Sequence, residues 1–547
     1  MANLSQQRRE KMLAFLETLK EQHTDDDSLI ALGEIEKELK SKKYGLVWEE
    51  HEEAVDVQMK TQIPVFTKVK EKEIYADENG AYNFLLEGDN LHSLYLLEKT
   101  HRGKIDLIYI DPPYNTGGND FVYNDKIIGK EDAYRHSMWI SFMEKRLKIA
   151  RKLLSDKGVI FISIDDNENA NLKLLCDEIF GEECFITDIA WRCSDNSNNN
   201  SLKFSEDYNH TLVYAKRSTW KPNFLNDPEK RKHFKNPDND PKGPWFDGNP
   251  VNNPGLRPNL QFDITTPSGK IIKHPANGWR WSMETITRKM KTGELRFSDD
   301  ETRLIRRTYL KDMKGLPPSN LWTNLEKTSH NRRAKYELKS LFPGVPVTSL
   351  FSTPKPVEFI KYILELSTNK HSIICDFFAG SGTTAQAVLE LNKEDGGDRK
   401  FILCTNNENN ICDEMTYPRC KTLLTGICPN GEKYSEKYNE NLMLFCTDFV
   451  DRESESLSDE LLEHICEMIE LEHGIKVDNK KYVMIMDDEE MDDFETHFSE
   501  YSDLKTVFVN QDVILSAKQQ KMLDSLTYHV IPDHYFDFEL REEGELW

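Results

Sequence analysis

A carboxylate, two prolines and an aromatic ring stand in a row at Asp111-Pro112-Pro113-Tyr114, directly after the largely apolar run Ile105-Asp106-Leu107-Ile108-Tyr109-Ile110. An isoleucine-rich run of this length reads as a buried strand of a parallel sheet. Ligands of open α/β sheets bind beyond the carboxyl ends of such strands, so the turn falls on the rim of a site. Proline fixes φ and lacks an N–H, which leaves the carbonyls of the turn facing outward as acceptors. Acceptors beside a carboxylate and a ring face suit a planar base that carries an exocyclic amine. Strands also end in Pro-rich turns without any chemistry, so four letters do not decide the matter.

A second motif adds weight. Ser372-Ile373-Ile374-Cys375 reads as another buried strand, and Asp376-Phe377-Phe378-Ala379-Gly380-Ser381-Gly382-Thr383-Thr384-Ala385 leads from it into a helical stretch through Leu391. Glycines at a strand-to-helix turn let the backbone approach a ligand, and the helix N-terminus offers N–H groups to an anion. Gly380 to Ala385 also fit the G-x-G-x-x-G/A pattern of dinucleotide binders. On this motif alone a nicotinamide or flavin enzyme stays open. Hydride transfer has no use for an amine-clamping turn, and the partnership with Asp111 to Tyr114 argues against it.

Together the two motifs resemble the amino-methyltransferases of DNA, which pair an Asp-Pro-Pro-Tyr turn with an Asp-x-Phe-x-Gly-x-Gly loop for S-adenosylmethionine. The turn comes first, a long insert follows and the glycine loop comes last. That order is similar to the β-class, in which a doubly wound, mostly parallel α/β sheet is circularly permuted around a target-recognition domain. Resemblance to the modification (Mod) subunits of type III restriction–modification systems extends through Leu86-Glu87-Gly88-Asp89-Asn90-Leu91, Asn119-Asp120-Phe121-Val122-Tyr123-Asn124-Asp125, Asn236-Pro237-Asp238-Asn239-Asp240-Pro241, Trp279-Arg280-Trp281-Ser282, Thr353-Pro354-Lys355-Pro356 and residues 441–449.

The resemblance implies transfer of a methyl group to N6 of adenine in double-stranded DNA. Asp111, Pro112, Pro113 and Tyr114 would act on a base flipped out of the duplex. Asp376, Phe378, Gly380, Ser381, Gly382 and Thr383 would hold S-adenosylmethionine, with Asp89 and Lys355 at further cofactor positions. Glu408 lies just past the strand-like Lys400-Phe401-Ile402-Leu403-Cys404-Thr405, where doubly wound folds bind a ribose hydroxyl. Asn406 or Asn407 are alternatives for that role. N4-cytosine methylation and a solitary methyltransferase remain the competing readings, and a specificity subunit without catalysis would need neither motif. Asp at 111, where cytosine enzymes often carry Ser, favours adenine. A homodimer and a helicase–nuclease restriction subunit are the implied protein partners.

The elements that must position these groups are legible in outline. At 547 residues the chain is expected to hold several domains. We expect an N-terminal helical region at 1–60, a catalytic half-domain at 61–190, a target-recognition insert at 191–345, a cofactor half-domain at 346–450 and an acidic C-terminal domain at 451–547. Met12, Phe15, Leu16 and Leu19 form one apolar stripe, and Asp25-Asp26-Asp27-Ser28 reads as a helix break with an N-cap. Trp139, Phe142, Met143, Leu147, Ala150 and Leu154 have helical spacing, which predicts a helix from about Ala133 to Leu154 closed by Lys157-Gly158, then a strand over Val159-Ile160-Phe161-Ile162-Ser163-Ile164. Another helix is predicted from about Pro356 to Leu366.

Charge is unevenly divided. The whole chain carries −24, yet residues 191–340 hold 28 Lys and Arg against 17 Asp and Glu, and residues 441–547 hold 8 against 28. A basic region steers polyanions even in an acidic molecule. Arg306, Arg307, Arg332 and Arg333 are the candidate DNA contacts, whereas Trp220, Trp245, Trp279, Trp281 and Trp322 read mainly as core of a small domain. Cys404, Cys412, Cys420 and Cys428 recur every eight residues, a spacing unlike that of zinc sites, and no metal is expected. No apolar run reaches the length of a membrane span and the start lacks a signal-peptide core, so a cytoplasmic protein with reduced thiols is expected.

Overall fold

The computed structural model describes residues 4–23, 25–40, 48–49, 51–78, 80–118, 120–123, 126–196, 204–225, 231–248, 251–313, 315–531 and 535–542. The expected polar loop at 195–200 lies partly outside the described residues, as do positions 119, 124 and 125 of one resembling segment. Residues 221–319 form one compact unit and the remainder of the chain another.

The larger unit is built on a ten-stranded, mostly parallel sheet. Its order is Gln62–Lys68, Asn441–Asp451, Tyr82–Glu87, Lys400–Thr405, Ile373–Asp376, Ile105–Ile110, Leu154–Ile164, Tyr208–Ala215, Phe185–Arg192 and Leu321–Trp322. The six strands from Asn441–Asp451 to Leu154–Ile164 run parallel to one another. Ile105, Leu107, Ile108, Tyr109 and Ile110 are all buried, as expected of a strand covered on both faces.

The helix predicted from Ala133 runs Arg135–Leu153 and buries Trp139, Met143, Leu147 and Ala150. It ends earlier than Lys157-Gly158 because the next strand starts at Leu154, paired with Ile105. Gly158 therefore sits inside that strand, where a Cβ would stand 2.8 Å from the Ile105 carbonyl oxygen. The predicted helix at Pro356 is Val357–Ser367, and its Phe359 packs against Trp191 at a centroid distance of 4.3 Å.

That contact bears on the insert. Trp191 is buried in the strand Phe185–Arg192, and Tyr208–Ala215 pairs antiparallel with both Phe185–Arg192 and Leu154–Ile164. The compact unit at 221–319 is thus narrower at both ends than the expected insert. Its core holds Ile264, Ile272, Trp279, Ile286, Leu295 and Leu304, beside a smaller cluster of Trp245, Ile305 and Tyr309. Trp245 and Trp279 are buried in this unit, whereas Trp322, read as core of the same small domain, is buried in the large sheet beside Trp191; Trp279 donates its indole N–H to the Phe262 carbonyl at 2.7 Å.

At the N-terminus the helices Leu4–Gln22 and Asp26–Lys40 meet at a break where the Asp25 carboxylate accepts the Ser28 N–H. Of the apolar stripe, Leu16 is buried while Met12 and Phe15 are exposed. The last hundred residues form three parallel strands, Tyr482–Ile485, Thr506–Asn510 and Tyr528–Ile531, around Val483, Ile485, Val507 and Val509. Among the described residues no helix is long and apolar enough to cross a membrane.

Candidate active site

Ile105–Ile110 and Ile373–Asp376 are neighbours, with Leu107 opposite Ile374 and Ile108 opposite Cys375. From the first the chain continues to Leu154–Ile164 on one side, and from the second to Lys400–Thr405 on the other. Connections that leave in opposite directions open a crevice at the carboxyl ends of the two strands. Both sequence motifs border it.

The Asp111 turn is held from several sides. Trp139 donates its indole N–H to the Pro113 carbonyl at 2.7 Å. Asn115 takes a positive φ of 58°, which reverses the chain after Tyr114. Its amide donates to the fully buried Glu168 at 2.5 Å and to the Arg135 carbonyl at 3.3 Å. Glu168 also stands 2.6 Å from His136 Nδ1 and accepts from Asn171 at 2.7 Å. Neither Asn115 nor Glu168 carries a sequence signal, since their link depends on an element 53 residues away.

Lys355 closes the cluster. Its Nζ donates to both carboxylate oxygens of Asp111 at 2.7 Å and to the Tyr114 hydroxyl at 2.9 Å, and Tyr114 donates to Asp111 Oδ1 at 2.9 Å. Lys355 is 8% exposed. Burial and the Asp111 charge push the Tyr114 phenol well above its ordinary range, so it stays a donor. The resemblance assigned Lys355 to the cofactor; the structure seats it on the Asp111 carboxylate.

In the glycine loop, Asp376 is 3% exposed and accepts from Thr384 Oγ1 at 2.5 Å and the Phe378 N–H at 3.0 Å. Burial pushes its carboxyl up to about 7, against the lowering effect of those two bonds. Gly380 and Gly382 have φ of +49° and +76°, which L side chains rarely adopt. A Cβ on Gly382 would lie 3.3 Å from Thr416 Cγ2, and Thr416 donates its hydroxyl to the Gly380 carbonyl at 2.6 Å. The helix Thr383–Asp395 starts directly after Gly382. Two glycines at positive φ, a buried acid and a helix start without a side-chain cap suit a ligand with an ammonium and a carboxylate.

Asp89 caps the helix Asn90–His101 by accepting the Leu91 N–H at 2.7 Å, and it receives Arg146 Nη2 at 3.3 Å. Arg146 is buried, pairs with Glu53 at 3.0 Å and donates to Asn90 Oδ1 at 2.5 Å. Asn90 in turn donates to the Phe377 carbonyl at 2.8 Å. One guanidinium thus ties the Asp89 turn to the glycine loop. At the end of Lys400–Thr405, Asn407 is engaged by the Cys412 N–H at 3.0 Å and by Asp413 at 2.8 Å. Glu408 and Asn406 are exposed at the same strand end.

The sequence profile of the N6/N4 DNA methylases matches residues 105–417, more than half of the chain, and spans both motifs. The chain belongs to this DNA methylase family. It is 38% identical over 356 residues to the Mod subunit of the type III restriction–modification enzyme StyLTI of Salmonella typhimurium, covering 60% of this chain and 53% of that one. It is 31% identical over 434 residues to the EcoP15I Mod subunit of Escherichia coli, covering 67% and 65%. The type II methyltransferase M.KpnI of Klebsiella pneumoniae is 33% identical over 345 residues, 58% of this chain and 79% of the relative. The chain thus spans between half and two thirds of the length of the two Mod subunits.

Within this DNA methylase the four candidate arginines divide into two kinds. Arg307 pairs with Asp238 and, at 2.7 Å, with Asp240, which also receives the Tyr309 hydroxyl at 2.7 Å. It knits together the segment 236–241. Arg306 lies 3.8 Å from Glu294 and over the Trp281 ring. Arg332 and Arg333 are more open, with side chains 57% and 67% exposed, beside Asp195 at 2.9 Å and Glu337 at 3.5 Å. Arg307 is tied into its own unit, Arg306 is one-third exposed, and Arg332 and Arg333 face solvent.

Proposed function

We propose that this chain transfers the methyl group of S-adenosylmethionine to N6 of adenine in duplex DNA, as the modification subunit of a type III restriction–modification system. One observation carries the reading: the carboxylate of Asp111, fixed by Lys355 and Tyr114, lies one strand away from a glycine loop with a buried acid and a helix start without a side-chain cap. When bound, the cofactor supplies an electrophilic methyl on a sulfonium. Asp376 is available to its ammonium, Gly380 and Gly382 let its amino-acid portion approach the backbone, and Glu408 with Asp89 suits the remaining polar groups.

Adenine hides N6 in the stack, so the nucleotide is flipped out and Tyr114 recovers part of the lost stacking, on the order of 1–3 kcal/mol. Asp111 accepts one N6–H and the Pro112 carbonyl the other. A carboxylate has about four lone-pair sites, so Asp111 takes this bond while Lys355 stays in place. The two acceptors draw nitrogen toward tetrahedral geometry and turn its lone pair to the methyl. The N–C bond forms as the C–S bond breaks, positive charge develops on N6 beside Asp111, and one N6 proton then leaves to solvent.

The unit at 221–319, with 19 Lys and Arg against 12 Asp and Glu, suits recognition of the duplex. Similarity to Mod subunits supports a restriction subunit as partner and a homodimer. Mass spectrometry of nucleosides from DNA of a host expressing the chain tests the reading: N6-methyladenine is expected, absent with Asp111→Ala. N4-methylcytosine in its place would overturn the assignment to adenine.

A further inference from the structure

Among the described residues, the larger unit contains three deeply buried arginines. Arg146 has Glu53 and Asp89, and Arg399 has Asp395 at 2.8 Å. Arg419, 1% exposed, touches no carboxylate among the described residues. Its guanidinium donates to the Ser381 carbonyl and hydroxyl at 3.2 Å, to Thr383 Oγ1 at 2.9 Å, and to Gln386 Oε1 at 3.1 and 2.8 Å. Every partner is neutral. Burying a cation costs free energy unless it is both hydrogen-bonded and paired with a counter-charge, and among the described residues only the hydrogen bonds are present.

The nearest acids are already engaged. Glu390 accepts from Gln386 at 2.8 Å and shares Lys361 at 3.4 Å; Glu337 accepts the Val357 N–H and pairs with Arg333. Cys420 and Tyr434, also nearby, have their acidities suppressed by burial and stay neutral. The residues that Arg419 does touch are those of the glycine loop and of the first turn of the helix Thr383–Asp395. Its positive charge therefore adds to that of the helix N-terminus.

We propose that Arg419 is the counter-charge for the carboxylate of the cofactor's amino-acid portion, acting from behind the loop through Ser381 and Thr383. This rests on the reading of the glycine loop as the S-adenosylmethionine site. Asp376 then serves the ammonium and Arg419 the carboxylate, so the loop sorts the two ends of a zwitterion. Burial lowers the Arg419 guanidinium to about 10, which leaves it cationic at neutral pH. Arg419 is a positioning residue: it bonds the loop and acts on the ligand by its field.

The test compares dissociation constants, by calorimetry, for S-adenosylmethionine, its decarboxylated analogue and 5′-methylthioadenosine, which lacks the whole amino-acid portion. Wild type should prefer the carboxylated ligand. Arg419→Met should reduce that preference about tenfold, Arg419→Lys should keep most of it, and methylthioadenosine should bind all three proteins alike. An unchanged preference in Arg419→Met, or an equal loss for methylthioadenosine, overturns the proposal. Should Arg419→Met fail to fold, the double exchange Gln386→Glu with Glu390→Gln moves a carboxylate onto the guanidinium at constant net charge. We expect a higher melting temperature without ligand together with a weaker preference for the carboxylated cofactor. A stabilised protein with an intact preference overturns it equally. Failure of wild type to bind either S-adenosylmethionine or methylthioadenosine would instead remove the reading of the loop itself.

Discussion

Lys355 Nζ stands 2.7 Å from both carboxylate oxygens of Asp111, although 244 residues separate the two in the chain. The lysine sits just ahead of the helix Val357–Ser367, whose buried Val357, Phe359, Ile360 and Ile363 anchor it to the sheet. Tyr109, one residue inside the end of the Asp111 strand, packs edge-on against Phe359 of that helix. The packing of a helix on a strand thus brings the two charged groups together, each just outside its element.

Removing the lysine should therefore act on the chemical step. Lys355→Met leaves Asp111 without its counter-ion and frees it to rotate, and single-turnover methylation should slow by about 10²-fold. Affinity for S-adenosylmethionine, measured by calorimetry, should change by less than about threefold if Lys355 serves Asp111 alone. Asp111→Ala should lose at least about 10³-fold in rate with both ligands still bound. A Lys355→Met protein with intact rate and weak cofactor binding would return the lysine to the cofactor.

Gly382→Val meets two obstacles that the structure makes explicit. The backbone is at φ +76°, and the new side chain would press on Thr416 Cγ2, 3.3 Å from its Cβ. A β-branched residue in that conformation costs roughly 1–3 kcal/mol. We expect a lower denaturation midpoint and loss of cofactor binding, with Gly382→Ala intermediate in both. Tight binding of NAD by wild type would instead favour a dehydrogenase.

Asp376 predicts a pH dependence with a definite sign. Its carboxyl titrates at about 7 in the folded protein against an ordinary 3.8. A raised value means that its contribution to stability is complete below about 4 and is lost as pH rises through 7, by roughly 4 kcal/mol at most. The same acid must be ionised to hold an ammonium. Cofactor affinity should consequently fall as pH drops below 7, and binding at pH 6 should release a proton, visible by calorimetry in buffers of different ionisation enthalpy. Asp376→Asn should lack both the stability slope and the proton release.

The two arginine pairs should part company. Arg332→Ala and Arg333→Ala should each weaken DNA binding, and the slope of log affinity against log salt should flatten by about 1 for every phosphate the guanidinium neutralises. Arg307→Ala should lower the melting temperature of the 221–319 unit, because Asp238 and Asp240 lose their partner. Equal effects of both pairs on the salt slope would place Arg307 in the DNA interface as well.

Assembly is open to light scattering with and without DNA. A dimer is expected, with the exposed Met12 and Phe15 of the first helix available for pairing. A protein that stays monomeric and fully active at every concentration would remove the dimer and leave the catalytic reading untouched.

What could be read in the sequence was what neighbouring residues decide among themselves. The strands Ile105–Ile110 and Lys400–Thr405 appear with the expected bounds, because a short apolar run rich in Ile and Phe has one stable place, between two covered faces. The helix Arg135–Leu153 follows from the spacing of Trp139, Met143, Leu147 and Ala150. The positive φ of Gly380 and Gly382 is equally local. Tertiary structure alone decided the rest. Lys355 reaches Asp111, Asn115 reaches Glu168 and Arg419 lies beneath Ser381 across gaps of 244, 53 and 38 residues. The strand at Trp191 left the insert for the sheet because its backbone found partners at Asn209 and Trp322. Periodicity reports which face of a segment is apolar. It carries no information on which charged or polar group from a distant segment that face will meet, and in this protein those meetings hold the acid of the site in place.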